Sequence, residues 1–188
     1  MILRGMVKLA RGNAKGFEEF GATPEAFTAS LAPLIAFPVV GALVVAITSG
    51  WKMALLGLLS RLCSVLILPV LVYEFARLFG RQSQWLRTAT AMNWCVWLLI
   101  PAVFGTVFLG VITAEIGVPA QLAEYGTLML AGLYLLWNRW YIFKAGLKVS
   151  GWRAGLILFV SLVLGAIFSL PPVLAGLPMP GLNGTPLP

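Results

Sequence analysis

The chain has 188 residues, 60% of them apolar and only 10% charged, with 13 Lys or Arg against six acidic residues and a net charge of +7. Every acidic residue is Glu, and Asp and His are absent. A soluble domain carries about 25% charge, so the composition excludes a water-facing globular protein and describes a chain that threads a bilayer several times, at roughly 20 apolar residues per crossing. No His-based triad, Asp dyad or His-held zinc or haem can be built from it. Cys63 and Cys95 both fall in apolar runs, so neither a disulfide framework nor a metal cluster is implied, and no cofactor is expected.

Residues 1–24 read as a basic amphipathic interfacial arm. Ile2, Met6, Leu9, Phe17 and Phe20 fall roughly on one face and Arg4, Lys8, Arg11 and Lys15 on the other. Such a segment lies on anionic lipid, or serves as a solvated arm that enforces orientation.

Residues 26–170 read as five transmembrane helices, at about 28–50, 53–78, 88–113, 122–143 and 152–170. The first uncharged run, Ala26 to Trp51, begins too late and is too long for a signal h-region of about 7–15 residues. It reads as a retained anchor, with Pro33 and Pro38 bending or delaying its start. The second run is interrupted only by Arg61, and the third is expected to kink at Pro101. The fourth is the shortest, Tyr125 to Asn138, and Pro171-Pro172 should stop the fifth. The tail, 171–188, is rich in Pro and Gly and holds the glycosylation-type triplet Asn183-Gly184-Thr185, read as incidental because Pro186 follows it.

Charge placement sets the topology. Arg4, Lys8, Arg11 and Lys15 precede the first helix; Arg77, Arg81 and Arg87 lie in the second connection; Arg139, Lys144, Lys148 and Arg153 lie around the fourth. The first connection has only Lys52, and the third has no basic residue. Basic connections stay in the cytoplasm, so five crossings with the N-terminus cytoplasmic and the C-terminus outside fit every connection. Trp85, Trp140, Tyr141 and Trp152 then mark the inner boundary, and Trp51 and Tyr125 the outer one. The fold expected is an all-α polytopic membrane helix bundle that crosses its bilayer five times.

The order of features resembles the bacterial branch of the Yip1 family over about residues 3–170. A short amphipathic arm comes first, then a turn at Gly80-Arg81-Gln82 and a helix from Trp85-Leu86-Arg87-Thr88 with a mid-helix Pro101. The basic connection Lys144-Ala145-Gly146-Leu147-Lys148-Val149-Ser150 follows, and a last helix starts at Gly151. The resemblance implies a five-span integral membrane protein with a cytoplasmic N-terminus and no established chemistry. The Asp-Leu-Tyr-Gly-Pro segment of the eukaryotic members is absent from this chain, so their Rab-linked trafficking role is not carried over.

Candidate polar sites are few. An ionisable group inside a membrane costs several kcal/mol unless paired or wet. Arg61 lies about 13 Å below the outer boundary at 1.5 Å per residue, and Glu124 enters from the same side. The pair reads either as an inter-helix clamp or as a polar site open to the outer face. Glu74 and Arg139 sit near the inner ends of their helices and could pair likewise, although Arg77 at i+3 satisfies Glu74 locally. Asn93 and Asn138 should make inter-helical hydrogen bonds. On the fifth helix, Ser161, Gly165 and Ser169 form a small-residue stripe and Gly151 and Gly155 a GxxxG pair, which predicts close packing or self-association. The positive charge is met by anionic lipid, without nucleic acid.

The reading that follows is a non-enzymatic, membrane-organising or scaffold protein acting through lipid, self-association or other membrane proteins. The alternative is a small oligomeric transporter or channel subunit with Arg61 and Glu124 near its pathway. A membrane-embedded enzyme comes third, since only Glu, Cys, Ser and Tyr remain to do chemistry.

Overall fold

The computed structural model describes residues 1–174. The expected outward tail lies outside the described residues from 175 onward, including Asn183-Gly184-Thr185. The described chain is all α, with seven helices: α1 (Ile2–Ala10), α2 (Pro24–Ser49), α3 (Trp51–Leu78), α4 (Trp85–Cys95), α5 (Leu99–Glu115), α6 (Ala120–Gly146) and α7 (Gly151–Leu174). Short 3₁₀ turns occupy Ala14–Glu19, Gln82–Gln84 and Val96–Leu98. Four stretches are long and apolar enough to cross a membrane: Pro24–Thr48, Trp51–Leu78, Gln82–Thr113 and Gly151–Pro171. The protein is therefore a multi-pass membrane protein by length and composition. α6 is not among those four, but its 27 residues extend about 40 Å at 1.5 Å per residue.

Local chemistry explains the boundaries. α2 starts at Pro24, earlier than its prolines suggested, because the Thr23 hydroxyl accepts the Ala26 N–H at 3.3 Å and Pro24 occupies the first helical position. Pro33 and Pro38 are then carried inside the helix. α3 ends in a turn in which Arg81 N–H donates to Ala76 O at 2.7 Å and Gly80 N–H to Arg77 O at 3.1 Å. That is a Schellman closure, and it requires the left-handed backbone of Gly80, φ +65°. α6 closes in the same way, with Val149 N–H donating to Lys144 O at 3.1 Å, but its left-handed residue is Lys148, φ 52°.

The expected single helix over 88–113 is two helices, broken at Val96–Leu98 rather than kinked at Pro101. Proline has no N–H to offer the carbonyl four residues back and its ring crowds that carbonyl, so the disturbance caused by Pro101 falls on the turn around Trp97. At the other end of the chain, α7 runs through Pro171 to Leu174, past the expected stop.

Packing divides the molecule into two ends. At the basic end, where α3 and α6 finish and α4 and α7 begin, one core holds Val72, Ala76, Ala91, Met92, Ile142, Phe143, Leu147, Ala154 and Ile157. The arm belongs to it, through Met6, Leu9, Phe17 and Phe20. α4 lies in the middle: every residue from Thr88 to Asn93 is buried, between α2, α6 and the arm. α3 packs on both α2 and α7, α6 packs on α7, and α5 packs on α6. Toward the far end, the large apolar residues of α5 are exposed, Phe104 at 71% and Phe108 at 67%.

Candidate functional site

The basic end is the most organised region, and the arm organises it. α1 and the turn at Ala14–Glu19 fold back on each other so closely that a Cβ on Gly16 would lie 2.8 Å from Gly5 O. Lys8 Nζ donates to Glu19 Oε1 at 2.6 Å across this fold, and the ammonium holds the Glu19 carboxyl below its usual range. Asn138 of α6 donates to Leu9 O at 3.3 Å and the Tyr134 hydroxyl to Ala10 O at 2.9 Å. The Tyr134 bond satisfies a carbonyl that the end of α1 leaves open, and Asn138 adds a second donor to Leu9 O, which also accepts the Gly12 N–H at 3.0 Å. Gly12 rests against Trp137, which stacks on Tyr141 with centroids 5.7 Å apart. Gly146 is a keyhole: a Cβ there would lie 2.6 Å from Thr88 Oγ1 and 3.0 Å from the Phe17 ring.

The apolar face of the arm is therefore taken up by protein, with Leu9 fully buried and Phe20 2% exposed. Met6, Leu9, Phe17 and Phe20 are thus covered by protein rather than open to lipid, and of the expected apolar face only Ile2 stays exposed, at 38%. The basic face is still available: Arg4, Arg11 and Lys15 are exposed, and Lys8 is partly covered by its ion pair. Nearby cations are held over rings, Lys144 over Trp140 and Arg153 over Phe79, both at 4.9 Å.

The buried polar groups act as packing links. Asn93 Nδ2 donates to Ser30 Oγ at 2.9 Å, joining α4 to α2. Trp85 Nε1 donates to Pro69 O at 3.0 Å, joining α4 to α3, and Trp140 Nε1 to Gly151 O at 3.0 Å, joining α6 to α7. Asn93 and Asn138 thus do what their position predicted. Two buried donors on the α4 segment, Arg87 Nε and Trp97 Nε1, have no hydrogen-bond partner among the described residues.

The expected intramembrane pairs are not formed. Arg61 is exposed on α3, whereas Glu124 lines a separate open cleft between α5 and α6 with Thr106, Gly110, Ala123 and Thr127. α3 neighbours α2 and α7 rather than α6, so a clamp between Arg61 and Glu124 has no shared interface. Glu74 pairs locally with Arg77, at 2.8 Å and i+3, which leaves Arg139 half-buried and without an acid. The sequence favoured that local pair; nothing in it signalled that Arg139 would remain alone.

The small-residue stripe of α7 is used in part. Gly151 is tight, since a Cβ there would lie 3.2 Å from the Trp140 ring, and Ser161 is buried. A Cβ on Gly155 or Gly165 meets nothing within 4 Å, and Ser169 is exposed. Ser60 of α3 donates to Phe168 O of α7, so a hydroxyl rather than a glycine contact ties these helices at the far end.

No family model matches the chain, and no curated protein or solved structure matches it.

Proposed function

We propose that the chain is a five-span, Yip1-like protein of a bacterial inner membrane, with the N-terminus cytoplasmic and the C-terminus outside. It acts without catalysis, as a membrane-organising scaffold whose basic face meets anionic lipid and a partner protein. The observation that carries this reading is the coincidence of charge and order at one end. The cations of the arm and of the α3–α4 and α6–α7 turns gather where the arm is hydrogen-bonded into the core. A rigid face ringed by Lys and Arg suits an anionic surface. The roughly 40 Å length of α6 supports a fifth crossing. The Yip1-like assignment rests on the layout of arm, helices and basic connections.

Reporter fusions test the topology: one at Lys148 should report cytoplasm and one at Pro188 the outside. Both on one side would remove the five-span reading. Extraction in native lipid tests the scaffold role. A partner should accompany the intact chain at fixed stoichiometry and be lost when residues 2–20 are deleted. A chain that comes out alone and moves solute across vesicles would sink it.

A further inference from the structure

α1 carries two apolar faces, and the core uses only one of them. Gly5, Met6 and Leu9 are buried against the rest of the arm and the helices behind it. Leu3 and Val7 lie one turn apart on a second face, rotated about 130° from the first at 100° per residue. They are 76% and 46% exposed. Arg4 and Arg11, both exposed, form the next strip, about 70° further round on the same count. Lys8 comes after them and is held by Glu19. The outward side of the docked helix is therefore amphipathic in its own right, with an apolar stripe and a basic stripe side by side.

The end of α1 also stands at the depth where the spanning segments begin. Trp140 Nε1 donates to the carbonyl of Gly151, the first residue of the span Gly151–Pro171. Tyr134, whose hydroxyl holds Ala10 O at 2.9 Å, lies six residues further toward the far end of α6, about 9 Å at 1.5 Å per residue. Beside this end of α1 runs an aromatic ladder, Tyr134, Trp137 and Tyr141, with ring centroids 5.9 and 5.7 Å apart. Trp137 touches Gly12 and is 42% exposed. Exposed Trp and Tyr at the start of a span mark the boundary between headgroups and acyl chains.

We infer that the outward side of α1 is a lipid-insertion face: Leu3 and Val7 enter the acyl boundary of an anionic leaflet while Arg4 and Arg11 meet its phosphates. Two apolar side chains flanked by like charges are too small a patch for a stable protein interface, which buries about 800 Å² per partner. A headgroup boundary takes such a stripe, because apolar burial and attraction to anionic lipid act together there. The opposite face is already locked into the core, so contact with lipid requires no further ordering of the helix. The inference rests on the membrane reading above and names the face of the arm through which its lipid contact is made.

Spin-label accessibility tests it. A single nitroxide is placed at Leu3→Cys, Val7→Cys or Lys15→Cys in the full chain carrying Cys63→Ala; Cys95 is buried and stays. The protein is reconstituted in phosphatidylcholine vesicles with and without phosphatidylglycerol. Labels at 3 and 7 should collide with oxygen rather than with a water-soluble nickel chelate, at a depth of about 5–10 Å below the headgroups. A label at 15 should show the reverse. Phosphatidylglycerol should deepen the labels at 3 and 7, and Arg4→Gln with Arg11→Gln should remove that deepening. Cooperative thermal unfolding shows that each labelled protein is folded. Labels at 3 and 7 open to nickel in folded protein overturn the proposal. Labels shielded from both reagents overturn it in favour of a protein cover. Depths that ignore phosphatidylglycerol overturn the role of the arginines. A protein that washes off vesicles without detergent overturns the membrane reading instead.

Discussion

The basic end and the far end of this molecule are built from the same helices and obey different rules. At the basic end, side chains from α1, α3, α4, α6 and α7 converge on one core, and Phe143, Leu9 and Leu147 are fully buried. At the far end α5 touches α6 and little else, and residues such as Phe108 and Met129 stay about two-thirds exposed, at 67% and 63%. In water a far end like this would collapse, because exposed apolar surface drives association. In a bilayer lipid covers it, and the hydrophobic drive between helices is largely gone. The basic end resembles a soluble core because interlocked side chains, an arm and hydrogen bonds to open carbonyls hold it. The ends differ in which solvent their contacts must compete with.

The largest test of that contrast is a pair of truncations. Phe143→Ala empties a fully buried site and should destabilise the protein by about 3–5 kcal/mol, lowering the unfolding temperature in detergent. Phe108→Ala at the far end should leave that temperature nearly unchanged. A comparable loss at both positions would mean that the far end packs as tightly as the basic end.

Next in size is Gly146→Val. The new Cβ would meet Thr88 and Phe17, and overpacking of a filled site costs about 1–3 kcal/mol. Release of the arm should follow, read as faster hydrogen exchange at residues 2–20. The matching change at Gly155, where a Cβ meets nothing within 4 Å, should not release it.

A smaller change runs in the opposite direction. Lys148 holds a left-handed backbone, φ 52°, which costs a side-chain-bearing residue roughly 1 kcal/mol relative to Gly. Lys148→Gly should raise stability by about that amount without altering the fold, as measured by denaturant titration in detergent.

The smallest effect expected is the pH dependence of arm docking. Lys8 lowers the Glu19 pKa, so the folded state favours the ionised carboxylate. The pair therefore contributes at all pH values above the ordinary carboxylate value, about 4.3, and is lost as the pH falls through the lowered one. Exchange at arm amides should rise only below about pH 4, and Glu19→Gln should abolish that rise. A transition near neutrality would point to another group.

Much of the candidate site was legible before folding. The amphipathic pattern of residues 2–20 was plain, and so were Asn93 and Asn138 as inter-helical donors and the i+3 pair of Glu74 with Arg77. The break at Val96–Leu98 was displaced by one turn from the residue that causes it, since proline disturbs the carbonyl four residues earlier. The pairing expected between Arg61 and Glu124 failed because depth can be read along a helix while azimuth and neighbour cannot. Which helix lies beside which is a property of all the faces together.

The sequence by itself determined a membrane-threading all-α chain with its charge gathered at one end, because hydropathy and charge act residue by residue. Only the tertiary structure decided that the arm turns its apolar face into the core, that α4 is enclosed, and that α5 packs on α6. Those outcomes depend on keyholes such as Gly146 and on open carbonyls such as Ala10 O finding donors on a distant helix.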